Sequence, residues 1–150
     1  MATALHVTVR LLHVVAMAVL LGGATLLWLR AARASGPAEV AGLRSLAVEY
    51  EWVFWGAVGV LVATGVGNLG ALAPAVPATV TAWGRTLAVK LGGLAALIVG
   101  SIVRTAMVEA LSGTATDHAA HVRRRLRLSY AATALWLAAL VVLGVVLAHG

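Results

Sequence analysis

There is no cysteine in this chain of 150 residues. Disulfides, thiolate metal sites and thiol redox chemistry are therefore excluded. Charge is scarce as well: Asp, Glu, Lys and Arg make up 11% of the chain, against about 25% in an ordinary soluble domain. Acidic residues are the scarcest, five against eleven basic. No carboxylate pair sits midway along an apolar stretch, so a carboxylate proton relay has no support. A hydrolytic triad, a phosphate-cradling glycine loop and a His-Glu-x-x-His zinc motif are also missing. The net charge of +6 does not point to nucleic acid. No basic stripe with interleaved aromatics occurs, and most arginines stand at the ends of apolar stretches, where lipid headgroups meet them.

What the chain has in abundance is hydrophobic sequence: 62% of residues, with a mean hydropathy of +1.01. A soluble core of this size could not hide so much apolar surface. About 20 apolar residues cross a bilayer as a helix, and four stretches qualify, at about residues 5–29, 50–72, 81–111 and 126–148. Backbone groups in lipid need internal partners, so these are helices. The expected fold is an all-α integral membrane four-helix bundle, residues 1–150 forming one domain. Ala32-Arg33-Ala34 before Ser35 resembles a signal cleavage site, but the apolar run before it is too long for a signal and ends on Arg30 and Arg33. The first helix is therefore expected to be retained.

The breaks between stretches set the topology. Residues 30–44 carry the turn signal Ser35-Gly36-Pro37, residues 70–78 carry Pro74 and Pro77 without charge, and residues 112–125 carry Gly113, Asp117 and an arginine cluster. Thr116 or Asp117 is placed to cap a short amphipathic helix entering the last span. Arg30, Arg33, Arg44, Arg104, Arg123, Arg124, Arg125 and Arg127 all belong to the first and third breaks and their flanks. The positive-inside rule then puts both termini and the proline loop outside the cytoplasm. Trp28, Trp52, Trp55 and Tyr130 form an inner aromatic belt in this arrangement, with Trp83 at the outer boundary. Glu49 and Glu51 fall at the inner end of the second helix, near arginines such as Arg44 or Arg127. Gly59, Ala63 and Gly67, and Gly92, Ala96 and Gly100, recur every four residues, a spacing that lets helices approach closely within the chain or in a homo-oligomer.

Ionisable residues inside a span need a reason. Thr3, His6, Arg10, His13 and Met17 share one face of the first helix, which is expected to turn into the bundle. His13 and Lys90 each lie eight residues inside their spans, about 12 Å below the outer boundary. Thr64 and Asn68 share a face in the outer half of the second helix. Together these residues could line a polar cavity open to the outside. Histidine and methionine suit copper, making His13, His6 and Met17 candidate ligands. His6 and His13 are about 10 Å apart along the axis and would act in succession, with Met1 or His149 as further donors. Haem b is the alternative, with His13 as axial ligand, Arg10, Arg85 or Lys90 on the propionates, and Lys90 or His149 as second ligand. A third reading is a cofactor-free accessory subunit docked through its glycine faces. His118 and His121 read as solvated loop residues, and Trp136 as a core or lipid-facing aromatic.

The segment from Leu12 to Gly23, a His followed by an apolar run and Gly-Gly, resembles the opening helix of the CopD-type copper-resistance membrane domain family. Thr81 to Leu91, with Gly84-Arg85 and Lys90, resembles a later helix start of that family, and Arg125 to Leu147 its last helix. A Trp often found before the Gly-Gly in such helices is replaced here by Leu20-Leu21. The resemblance implies copper handling across the bacterial inner membrane, roles for His13 and Lys90, and an extracytoplasmic copper-binding partner. Whether the chain is an enzyme stays open on this reading, which leans against it. A more distant similarity is to HemJ-type membrane haem proteins, which pair an early His with a later Lys and would make the chain a haem-linked oxidoreductase with a redox partner. The Pro-Arg and second-His elements of that group are absent.

Overall fold

The computed structural model describes the backbone of residues 2–72, 79–112 and 119–149, and side chains 4–67, 79–111 and 119–148. Four helices follow one another: α1 (Ala2–Arg33), α2 (Pro37–Leu72), α3 (Ala82–Ser112) and α4 (Ala119–His149). Each is long and apolar enough to cross a membrane, as the hydropathy requires. Four consecutive crossings bring both chain ends to one end of the bundle, called here the terminal end. The α1–α2 connection and the flanking arginines lie at the opposite end, the arginine end.

Two helices start earlier than their apolar runs. α2 begins at Pro37 rather than near Tyr50. Pro37 occupies the first helical position, where its missing N–H costs nothing. Glu39, two residues on, reaches back to accept the Ser35 N–H at 2.8 Å, satisfying a donor the helix start leaves open. Val40, Leu43 and Ala47 then bury one face, so the helical period continues through a polar stretch. α4 likewise starts at Ala119, ahead of the apolar run, and Val122 on its first turn is 1% exposed. The start of α3 is capped as its sequence suggests: the Thr81 hydroxyl accepts the Gly84 N–H at 3.0 Å. Pro74, Pro77, Gly113, Thr116, Asp117 and His118 lie outside the described residues, as do the side chains of Met1, Thr3, Asn68 and His149.

α1 packs on α2 and α4, and α3 leans mainly on α4. The core is displaced toward the arginine end. Its fully buried large side chains include Leu20, Leu27, Phe54, Leu126, Tyr130 and Leu137. Toward the terminal end the buried apolar residues stop at Ala16 on α1, Leu61 on α2, Leu97 on α3 and Leu140 on α4. This layer forms a floor, and beyond it the bundle holds polar groups.

Of the two uses the glycine spacing allows, close packing within the chain is not what most of these glycines do. Gly59, Ala63 and Gly67 and the stripe Gly92, Ala96 and Gly100 are exposed, and a methyl on Gly59, Gly92 or Gly100 would meet nothing within 4 Å. Gly67 alone approaches another helix, 3.4 Å from Val9 for an added methyl. The close approaches occur at Gly23, where a methyl would overlap the Tyr50 ring, and at Gly93 and Gly144. The aromatic belt is also smaller than expected. Trp28 and Trp52 are exposed, but Tyr130 is completely buried and Trp55 packs against the core.

Candidate functional site

All four helices contribute to a polar site above the Ala16–Leu61–Leu97–Leu140 floor. His13 of α1 is half-buried and its Nδ1 is 2.9 Å from the Thr64 hydroxyl of α2. That hydroxyl sits 2.6 Å from the Val60 carbonyl, its acceptor one turn back, as hydroxyls in apolar helices commonly arrange. A Thr64 hydrogen given to Val60 lets the hydroxyl accept from His13 Nδ1–H, and that tautomer would leave Nε2 its lone pair, the form in which imidazole binds a metal. The Leu61 backbone is a further hydrogen-bond partner of the ring. Gly65 keeps the α2 backbone close: a methyl there would stand 3.8 Å from His13 Cε1.

Lys90 of α3 is also half-buried, and its charge acts on the His13 ring. Its Nζ lies against α4, 3.1 Å from where a methyl on Gly144 would be. A larger residue at 144 would push the ammonium aside. The ammonium is thus near enough to act electrostatically on the imidazole. Two indoles close the neighbouring α3–α4 seam: Trp136 Nε1 donates to the Gly93 carbonyl at 2.9 Å and Trp83 Nε1 to the Leu147 carbonyl at 3.1 Å.

Other candidates are placed differently. Arg10 is exposed, so the polar stripe of α1 does not turn inward as a whole. At this depth an exposed guanidinium can snorkel along its aliphatic stem to the headgroups. Arg85 is exposed too. Met17 packs against the core. His6 is half-buried about 10 Å from His13 along the axis. His121 is exposed at the arginine end. Among the described residues no group of three or more His, Cys, Asp or Glu is arranged to hold a metal.

A second polar cluster escapes the sequence reading. Glu51 and Arg104 are 5% and 4% exposed and form a two-pronged ion pair inside the bundle, Nε to Oε1 at 2.8 Å and Nη2 to Oε2 at 3.0 Å. The partner of Glu51 is therefore Arg104 of α3, not Arg44 or Arg127. Tyr130 donates to Oε1 at 2.8 Å, and the Thr105 hydroxyl donates to Oε2. Arg104 Nη1 donates to Thr133 at 2.9 Å and to Ser101 at 3.4 Å. Its guanidinium lies 4.1 Å from the Phe54 ring centroid. The Tyr50 hydroxyl donates to the Leu20 carbonyl at 2.6 Å, bringing in α1. A groove of about 220 Å³ between α2 and α3, with Trp52, Trp55 and Glu109 on its walls, opens beside this cluster.

The extended start of α2 is the signal that could have exposed this pair. Once the helix is counted from Pro37, Glu51 lies well inside the bundle. It then needs a cation from another span, and Arg104 is the arginine set deepest in α3.

Comparison with known proteins adds a family. No curated protein and no solved structure matches the chain. The sequence model of copper resistance protein D, CopD, matches residues 44–148. That range takes in Thr64, Lys90, Gly144 and the whole Glu51–Arg104 cluster; His6 and His13 on α1 stand outside it. It covers more than two thirds of the sequence, and the chain belongs to the CopD copper-resistance family.

Proposed function

We propose that this membrane protein handles copper as cargo, taking it up at the His13–Thr64–Lys90 site in the leaflet facing away from the cytoplasm. The observation carrying the reading is the 2.9 Å contact of His13 Nδ1 with the Thr64 hydroxyl, itself 2.6 Å from the Val60 carbonyl; with Nδ1–H donated to Thr64, Nε2 is the atom that binds Cu(I). The outward placement rests on the arginines, which gather at the opposite end. His6, nearer the helix start, serves as the entry ligand. Lys90 sets a positive charge beside the ligand. Such a charge opposes a bound cation and keeps residence short, which suits a site that passes copper on rather than storing it. The ion reaches His13 with its remaining coordination filled by water or by the donor protein, an extracytoplasmic copper-binding partner.

The test is a Cu(I) titration of the purified protein against a chromophoric competitor, together with its visible spectrum. The reading expects colourless protein that binds Cu(I), with affinity lost in His13→Ala. A Soret band that disappears in His13→Ala would replace copper with haem b at the same residue. Unchanged copper binding in His13→Ala would remove the site.

A further inference from the structure

Lys90 is the one lysine of the chain, and its place depends on a residue that has no side chain. A methyl added to Gly144 would stand 3.1 Å from Lys90 Nζ and 3.9 Å from Cε, and would meet no other neighbour among the described residues within 4 Å. The space over Gly144 is therefore taken by the lysine alone. Gly93, on the same seam, is different: a methyl there would press on Leu140 at 3.0 Å, which is apolar packing between helices.

Two hydrogen bonds bracket the Lys90–Gly144 contact. On the terminal side Trp83 Nε1 donates to the Leu147 carbonyl at 3.1 Å, and toward the arginine end Trp136 Nε1 donates to the Gly93 carbonyl at 2.9 Å. Both bonds join α3 to α4, so the spacing of the two helices is set on either side of the contact. A side chain at 144 is then accommodated by the lysine stem, not by parting the helices. The Cα–Cβ bond of a helical residue leans toward the helix start, which for α3 is the terminal end. An ammonium that loses its place over Gly144 moves out along its stem to the headgroups there. Its charge acts on the His13 ring, and among the described residues no carboxylate offsets it. That repulsion of a cation at His13 weakens as the ammonium withdraws.

We propose that Gly144 is a positioning residue of the His13 site: the gap left by its missing side chain seats the Lys90 ammonium and so sets how weakly copper is held. The proposal rests on the copper reading of that site. A side chain at 144 sends the ammonium outward, and His13 then holds copper longer.

The test uses the full chain in lipid nanodiscs. A water-soluble N-hydroxysuccinimide ester acylates amines that reach water, and peptide mass mapping separates Lys90 from the amino terminus. Gly144→Ala and, more strongly, Gly144→Val should speed labelling at Lys90, by about threefold or more for the valine. Cu(I) affinity should rise with it, by about fivefold for Gly144→Val. The same substitution in a Lys90→Leu background should leave affinity unchanged, since no ammonium remains to be moved. An unchanged labelling rate would overturn the proposal. So would an affinity change that persists in the Lys90→Leu background, which would make Gly144 a packing residue, or a fall in affinity, which would send the ammonium toward His13. Faster labelling without any change in affinity, in a chain whose copper binding is lost in His13→Ala, would overturn it as well. Copper binding that survives His13→Ala would instead remove the copper reading, and the labelling rates would still decide whether Gly144 seats the lysine. If Gly144→Val does not fold, Gly144→Ala carries the comparison, because its methyl meets Lys90 alone.

Discussion

The two polar clusters inside the bundle stand about 20 Å apart along the helices and are built on opposite principles. Around Glu51 the carboxylate is saturated. Each carboxylate oxygen takes two hydrogen bonds, and the Arg104 guanidinium is divided among Glu51, Thr133 and Ser101. Around His13 the network stops short. Thr64 and the Leu61 backbone meet the ring, and Lys90 is held against a glycine rather than a carboxylate. The carboxylate of the first cluster is filled by its own neighbours; the imidazole and ammonium of the second have no such ion-pair partner among the described residues. Burial of ionisable groups in a membrane span does not by itself mark function. The degree to which their hydrogen-bonding capacity is filled separates a clamp from a site.

Breaking the clamp should have the largest effect. Arg104→Met leaves the Glu51 carboxylate buried without its cation, and a loss of about 3–5 kcal/mol is expected in chemical or thermal unfolding. Replacing both residues, Glu51→Met with Arg104→Met, should recover much of that loss, because no lone charge remains. The folded fraction of either variant should still bind Cu(I) as wild type does. Copper affinity that followed the clamp variants would erase the division of labour.

The His13 end should respond in the opposite way. Thr64→Val keeps the shape of the side chain and removes the acceptor of Nδ1–H, so Cu(I) affinity should fall by about 10–100-fold while the unfolding midpoint hardly moves. Lys90→Met removes the opposing charge and adds a soft donor, and binding should tighten by about tenfold or more. Weaker binding in Lys90→Met would show that Lys90 attracts the cargo instead, as it would if copper arrived in an anionic complex. The smallest effect belongs to a pair of neighbouring glycines. Gly23→Ala forces its methyl into the Tyr50 ring and should cost about 1–3 kcal/mol. Gly22→Ala meets nothing within 4 Å and should be close to neutral.

That pair also shows where sequence reasoning stops. Gly22 and Gly23 are indistinguishable as letters, and only the position of Tyr50 on another helix tells them apart. The four spans were legible because lipid imposes one length and one composition on any crossing helix. That Lys90 acts electrostatically on His13 fits a count of residues along each span, since rise per residue is constant. The start of α2 was not legible, since Arg44, Glu49 and Glu51 interrupt the apolar run while Val40, Leu43 and Ala47 continue the buried face beneath them. The Glu51–Arg104 pair was lost with it, and Arg104 was read as a boundary charge. The periodic glycines of α2 and α3 left two uses open because spacing reports which residues share a face, not which way that face is turned; most of them turn away from the other helices.

X-ray absorption at the copper edge, on the Cu(I)-loaded protein, examines the open imidazole nitrogen directly. The account predicts an imidazole scattering signature in wild type that is absent in His13→Ala and retained in Arg104→Met. A copper environment identical in wild type and His13→Ala would contradict it.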